Sequence, residues 1–159
     1  MKYVYIGKIV NTHGIKGEVK ILSDIDYKEL VFKKNFKIYI GNKKEEEIIN
    51  TYRKHKIFDM ITLNGINNIN DVLKYKGLNI YVNKEDIKDV ITDEDYIGLD
   101  VYIDKYVGKV TDIRKGKFQD IIVVNNSILI PKVDAFIKKI DFSENKIYIN
   151  EIEGLLNED

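Results

Sequence analysis

Polar and apolar positions alternate from the first residues of the chain, with Tyr3 and Tyr5 set against Val4 and Ile6. That two-residue period is the mark of a strand with one buried face. Short runs of Ile, Val, Tyr and Phe broken by Gly, Asn and Asp continue through the first half. They predict strands at Tyr3 to Val10, Glu18 to Leu22, Phe36 to Ile40, Glu47 to Arg53, Ile57 to Leu63 and Leu78 to Val82. One short helix fits before the last of these, capped by Asn70 or Asp71, with Val72, Leu73 and Tyr75 as its apolar face and Gly77 as its stop. The pattern then lapses into a polar, increasingly acidic stretch at residues 83 to 95, which reads as a linker or as a long loop. Strands resume at Asp100 to Ile103, Val107 to Ile113, Asp120 to Val124, Ser127 to Ile130 and Lys146 to Ile149. Asn125-Asn126 supplies two residues that tolerate positive φ, so a tight hairpin is expected there. Pro131, the only proline, closes the second strand of that hairpin, where its missing N–H costs little. Phe136, Ile137 and Ile140 offer a further apolar face. The expected fold class is all-β, two small β-barrels in tandem: residues 1–83, an acidic linker at 84–96, and residues 97–159.

Composition removes several functions. The chain has no cysteine, so disulfides and thiol chemistry are excluded. Its start lacks the apolar core of a signal peptide, and no later run reaches the ~18 uncharged residues of a membrane helix. A soluble, cytoplasmic protein is expected. The net charge of zero conceals an asymmetry: residues 1–88 carry 17 Lys/Arg against 11 Asp/Glu, residues 89–159 carry 9 against 15. Either this is chance unevenness in a Lys-, Ile- and Asn-rich chain, or the halves favour partners of opposite charge.

Candidate chemistry concentrates in Gly7-Lys8-Ile9-Val10-Asn11-Thr12-His13-Gly14-Ile15-Lys16-Gly17-Glu18-Val19-Lys20. Gly14 and Gly17 between two alternating runs suit a turn that needs positive φ or close backbone approach. His13 and Glu18 form the one pairing that could be read as acid and base, or as metal ligands. The chain holds only one other histidine, His55, and no ligand cluster accompanies either, whereas a metal site needs three or four spaced ligands. No phosphate-cradling glycine loop, nucleophile elbow or acid/base dyad occurs elsewhere. No catalytic residue, metal, cofactor or small-molecule substrate is therefore expected. Lys16, Lys20, Arg53, Lys54 and Lys56 interleave with Tyr52, His55 and Phe58. Cations beside aromatics on a β surface suit RNA, by phosphate attraction and base stacking. The same residues also serve as ordinary solubilising surface.

The segment from Ile6-Gly7-Lys8 through His13-Gly14-Ile15-Lys16-Gly17-Glu18-Val19 resembles the most characteristic segment of the RimM family of ribosome maturation factors. Arg53-Lys54-His55-Lys56, the Met60 to Leu63 run, Gly65-Ile66 and the approach to Gly77 look like the rest of that family's first domain. Ile97-Gly98-Leu99-Asp100-Val101, Val107-Gly108-Lys109-Val110, Ile128-Leu129-Ile130-Pro131 and Glu153-Gly154-Leu155-Leu156 are similar to its second, the PRC-barrel domain. The resemblance implies a first barrel of the translation-factor type and a second of the PRC type. It further implies a non-catalytic factor that promotes maturation of the small-subunit (30S) head and processing of 16S rRNA. Its implied partners are the free small subunit, ribosomal protein nineteen of that subunit, held through the second domain, and 16S rRNA. Two departures stand out. The aromatic pair usual before the second domain's Ile-Gly is reduced here to Tyr96, within Asp93-Glu94-Asp95-Tyr96, and Tyr96 carries the implied ribosomal-protein contact alone. After Gly116 the chain reads Lys117-Phe118-Gln119-Asp120, where the family has a small residue, Asn and Asp. Two competing readings stay open: a general RNA-binding barrel of the translation-factor type, and an rRNA-processing nuclease using His13 and Glu18.

Overall fold

In the computed structural model, residues 1–151 are described and form two compact units, Met1–Val90 and Ile91 onward. The first is built from β1 (Tyr3–His13), β2 (Glu18–Leu22), a one-turn helix α1 (Lys28–Val31), β3 (Lys37–Ile40), β4 (Glu45–His55), β5 (Phe58–Leu63) and β6 (Asn79–Asn83). These six strands close into a barrel in the order β1-β2-β5-β4-β3-β6. Closure depends on β1, whose eleven residues reach far enough to pair antiparallel with both β2 and β6. Its ladders are interrupted between Tyr5 and Gly7 and between Ile9 and Asn11. Such bulges bend a strand and raise its twist, as a six-strand barrel requires. At Gly7 the neighbouring chain comes so close that an added Cβ would lie 2.8 Å from the Leu22 carbonyl oxygen. The seam between β1 and β2 therefore admits only glycine at that point.

Val4, Ile6, Ile9, Val19, Ile21, Ile38, Ile40, Ile49, Ile61, Leu63, Ile80 and Val82 point into the barrel as its core. The expected helix before β6 is instead two 3₁₀ turns, Ile69–Asp71 and Leu73–Tyr75. The cap is Asn68, which accepts the Asn70 N–H at 2.9 Å, and not Asn70 or Asp71. Val72, the residue between the turns, has φ −115°, which stops one from running into the other as an α-helix. Both turns deliver apolar side chains downward, with Val72 and Tyr75 closing the barrel mouth.

The second unit contains α2 (Asp93–Tyr96), β7 (Asp100–Ile103), β8 (Lys105–Arg114), β9 (Ile121–Val124), β10 (Ile128–Pro131), β11 (Ile137–Asp141) and β12 (Lys146–Ile149). Its strands follow the order β10-β9-β8-β7-β12-β11, with β12 parallel to β7 and the other neighbours antiparallel. Every strand contributes to a single core around Leu99, Val101, Val110, Ile122, Ile130, Ile147 and Ile149, so the sheet wraps on itself although β10 and β11 are not paired. Asn125 and Asn126 have φ of 51° and 62°, and they make the expected tight hairpin between β9 and β10. Pro131 ends the edge strand β10. The apolar face foreseen at Phe136, Ile137 and Ile140 includes strand β11, which the alternation did not predict. The motif Glu153-Gly154-Leu155-Leu156 lies outside the described residues.

The stretch expected as a linker at 84–96 carries structure. A 3₁₀ turn at Lys84–Ile87 sends Ile87 into the first core, and α2 sends Tyr96 into the second. The boundary falls at Val90 and Ile91. Residues 1–90 and 91–159 expressed separately should each unfold cooperatively, because each buries its own core. Denaturant titration followed by circular dichroism checks this, and a fragment lacking a cooperative transition would contradict it. Gly7→Ala should destabilise the first unit by about 1–3 kcal/mol, the usual cost of forcing atoms into a filled space, measured by the same titration.

Candidate nucleic-acid interface

β2 and β5 run antiparallel, so the β1–β2 turn and the β4–β5 turn sit at opposite ends of that strand pair, and side chains from the strands between them meet across its outer face. The cross-strand register explains why. His13 opposes Glu18 across β1 and β2, Lys20 opposes Met60 across β2 and β5, and Met60 opposes Arg53 across β5 and β4. Directly paired residues project to the same face of a sheet, so side chains from four strands converge on the outer surface. The Arg53 guanidinium makes a two-pronged contact to Glu18, donating at 2.9 Å from Nε and 2.7 Å from the second nitrogen. The rings of His13 and His55 lie 5.8 Å apart. Lys20 places its ammonium 4.7 Å from the centre of the Phe58 ring. Met60 is fully buried beneath this layer although it is absent from the barrel core.

The turn geometry sets up the convergence. Gly14 and Gly17 have φ of 69° and 92°, in the left-handed region that other residues enter at a cost. Gly17 is also crowded: a Cβ there would meet Asn68 N and Ile66 Cγ2 at 3.3 Å, whereas at Gly14 it would meet open space. Ile69 N–H donates to the Ile15 carbonyl at 3.0 Å, pinning the turn to the first 3₁₀ turn. The β4–β5 connection is tight, with Lys56 at φ 58°.

Electrostatically the patch is a group of cations around one carboxylate. The hydrogen bonds from Arg53, helped by the charges of Arg53, His13 and His55, hold the Glu18 carboxyl below the ordinary carboxylate range. Partial loss of hydration together with Arg53, Lys56, His13 and Lys20 pushes His55 below the ordinary imidazole value.

The residues expected to bind RNA divide on inspection. Lys20, Arg53 and Lys56 belong to the patch, with the turn residues His13, Gly14, Gly17 and Glu18. Lys16 is exposed in the β1–β2 turn. Lys54 faces the other way, as alternation along β4 requires. Its ammonium lies 3.7 Å from Asp59, a fully buried carboxylate that also meets Lys28 at 2.8 Å and the Tyr52 hydroxyl at 2.7 Å. Burial and that hydrogen bond push the Tyr52 phenol up to about 12. Lys28 is the closer counter-charge of the buried Asp59, and Lys54 adds to it from the surface. Of the aromatics expected beside these cations, His55 and Phe58 are central to the patch, whereas Tyr52 turns away to Asp59 and Phe32. Arg53 and His55, two apart on one strand, were the available signal.

The histidine–carboxylate pairing does not make a general base. Both Glu18 oxygens are engaged by Arg53, and its lowered pKa makes it a weak proton acceptor. Among the described residues, no three His, Asp or Glu side chains gather as a metal site would need.

Tyr96, expected to present its ring to a ribosomal protein, is only 7 % exposed. It packs edge-on against Phe142 at 5.5 Å, with the Lys132 ammonium 4.4 Å from its ring centre. One-turn helix α2 forces this inward aim. Asp95 accepts the Thr92 N–H at 2.7 Å, and Asp93 pairs with Lys115 at 2.6 Å, so the turn is fastened down with Tyr96 beneath it. Burial and the Asp93 and Asp95 charges raise its phenol pKa.

Two outcomes follow from this geometry. Tyr96→Ala should cost the second unit about 3–5 kcal/mol, as removal of a buried aromatic does, measured by denaturant unfolding; a change under ~1 kcal/mol would contradict its burial. The Glu18 pKa is depressed on folding, so its stabilising contribution is complete above the ordinary carboxylate pKa of about 4.3 and fades as pH falls through the lowered value. Glu18→Gln removes that contribution, so the stability gap between wild type and variant should narrow on acidification below pH ~4.3. Stepwise unfolding titrations between pH ~6 and ~3 measure the gap.

Comparison with known proteins agrees with the geometry at the level of family. Residues 4–87 match the RimM N-terminal domain, and residues 93–155 match the RimM PRC barrel domain. A ribosome maturation factor RimM from Exiguobacterium is 37% identical over 171 residues, covering 100% of this chain and 99% of that protein. One from Ligilactobacillus salivarius is 39% identical over 168 residues, covering 98% and 99%. Among solved structures, a RimM protein from Pseudomonas aeruginosa is 19% identical with a TM-score of 0.45, covering 95% of this chain and 98% of that one. Two domain matches in order and full-length relatives above 30% identity leave one assignment: the chain belongs to the RimM family of ribosome maturation factors.

Proposed function

We propose that this protein is a cytoplasmic, non-catalytic assembly factor that promotes maturation of the 30S head and processing of 16S rRNA. The basic outer face of the first barrel holds rRNA, and the second unit holds a small-subunit ribosomal protein, nineteen in the family resemblance. The observation that carries this reading is the convergence of His13, Lys20, Arg53, His55 and Phe58 on one surface, with a single carboxylate already engaged by Arg53. Cations supply attraction to phosphates, and an aromatic ring beside a lysine supplies a surface for an unpaired base. None of these groups is arranged to break a bond, which suits a factor that holds RNA and does not cut it.

The ribosomal-protein contact has a different physical basis. Residues 97–150 carry nine Lys/Arg against seven Asp/Glu, so the second barrel is not itself acidic. The acidity of the second half sits in its flanks, at Asp89, Asp93, Glu94 and Asp95 on one side and Glu151, Glu153, Glu158 and Asp159 on the other. Asp93 is already paired with Lys115 and Lys132. The end of the chain is therefore the better candidate for steering a basic partner.

Pull-down with the purified full chain against separated small subunits, large subunits and whole ribosomes tests the proposal. Retention of free small subunits alone is expected. Equal retention of all three would favour a general RNA-binding barrel, and rRNA cleavage by the pure protein, lost in His13→Ala, would favour a nuclease. The Lys20→Ala/Lys56→Ala double variant should weaken capture of head-domain rRNA by roughly tenfold near physiological salt, since each lost phosphate contact also flattens the salt dependence.

A further inference from the structure

A second concave surface lies on the first barrel, away from the two turns of the basic patch. It is a half-open cavity of about 590 Å³ between the β3–β4 turn and the second 3₁₀ turn. Leu78 is its open apolar wall, backed by the buried Ile40 and Tyr75, while Asn42 and Asn79 supply amides and Lys8, Lys43 and Lys74 ring it. Its one carboxylate, Glu45, is 3.6 Å from Lys74. Neither Lys8 nor Lys43 has an ion-pair partner among the described residues. Both turns that shape the cavity are fixed from below. Gly41 N–H donates to the Asn79 carbonyl at 2.8 Å, and Gly77 N–H donates to the Ile9 carbonyl at 2.7 Å. The Tyr75 hydroxyl donates to Glu47, and burial with the Glu47 and Glu45 charges keeps the phenol protonated well above its ordinary range. The floor is thus rigid and neutral at the ring, and the rim is positive.

The geometry points to a binding pocket for one unpaired nucleotide of an RNA strand, its phosphates at Lys8 and Lys43 and its base against Leu78. The volume falls within the few hundred Å³ that small-molecule sites occupy. Two unpaired ammonium groups at the rim call for an anion, whereas the apolar wall and the two side-chain amides call for a planar group with hydrogen-bonding edges. A nucleotide unites these. Placement on the strand supports RNA as the source of that nucleotide, which rests on the reading of the first barrel as the rRNA-holding unit. Lys8 and His13 are both exposed on β1, five residues apart and therefore separated by about 16 Å along the strand. A single strand following β1 would meet the pocket and the basic patch in turn, within the roughly 4–16 nucleotides that one small RNA-binding barrel occupies.

The test is fluorescence anisotropy of a labelled single-stranded RNA dodecamer with the full-length protein. Four variants are compared: Lys8→Ala/Lys43→Ala at the pocket, Leu78→Glu at its wall, Lys20→Ala/Lys56→Ala at the basic patch, and Lys33→Ala/Lys34→Ala as a charge-matched control. Thermal unfolding of each verifies the fold. The pocket pair should weaken RNA binding about tenfold and flatten the salt dependence by the share of two phosphates, while the control shifts it less than about twofold. Leu78→Glu should weaken it comparably. Free adenosine and uridine monophosphate serve as competitors. Failure to compete at millimolar concentration is expected if the pocket reads a nucleotide within a strand, and tight competition would make a free mononucleotide its ligand and overturn the RNA assignment. If the pocket pair behaves like the control while the patch pair weakens binding, the pocket inference fails and the proposed function stands. If the wild type binds no RNA, both fail. An acidic peptide that displaces RNA from wild type and not from the pocket pair would assign the site to protein and overturn the inference.

Discussion

The first barrel hangs on one strand. β1 must pair with β2 on one side and β6 on the other, and both ladders share Lys8, which opposes Leu22 and Asn79. A straight strand cannot follow two neighbours around so small a barrel, and the two interruptions near Gly7 and Asn11 supply the curvature. Gly7 is the tightest point of that closure, since any side chain would strike the Leu22 carbonyl. The same strand ends at His13 in the basic patch and carries Lys8 at the rim of the cavity. Closure of the fold and placement of both surfaces are consequences of a single register.

The exposed faces of the units are less ordinary than their cores. Tyr5, Tyr81 and Tyr39 stand opposite one another across β1, β6 and β3, with Lys44 4.3 Å from the Tyr81 ring centre. The second unit repeats the device with Tyr148, Tyr102 and Tyr106 across β12, β7 and β8, next to a row that alternates Asp141, Lys146, Asp100 and Lys109. Aromatic and opposite-charge pairs facing each other across strands each contribute roughly 0.2–1 kcal/mol. Two short sheets with small cores gain from such outer rows, and the tyrosine-rich composition is explained by stability before any partner is invoked.

Much of this was legible in the chain. Alternation located most of the strands in both units, because each has one buried face and a period of two. Asn125-Asn126 announced its hairpin, and Gly14 and Gly17 announced a turn needing positive φ. Strand β11 escaped because a register shift between Ile137 and Lys139 breaks the period, leaving two exposed lysines in succession. Glu45 and Glu46 fell outside the strand expected from Glu47 because glutamate has weak strand propensity, yet they open β4 by pairing with Ile40 and Tyr39. The helix before β6 became two 3₁₀ turns because the seven residues from Ile69 to Tyr75 must also pass over the barrel mouth and bury Val72 and Tyr75.

The candidate site shows where linear reading stops. Lys54 sits inside the run Arg53-Lys54-His55-Lys56, and composition makes all four look equivalent. The strand sorts them: Arg53 and His55 face outward with Lys20, while Lys54 turns to the buried Asp59. Charge by itself would assign the whole run to RNA, whereas pairing leaves Arg53 held by Glu18 and Lys54 held by Asp59. The cations left for phosphate are then the ones without a fixed partner. By that criterion Lys20, whose contact is an aromatic ring, is better placed to meet RNA than Arg53, whose guanidinium would first have to give up a two-pronged bond. Arg53 is accordingly assigned to holding Glu18 and orienting the turn, and the attraction itself to the lysines around it, Lys20 and Lys56.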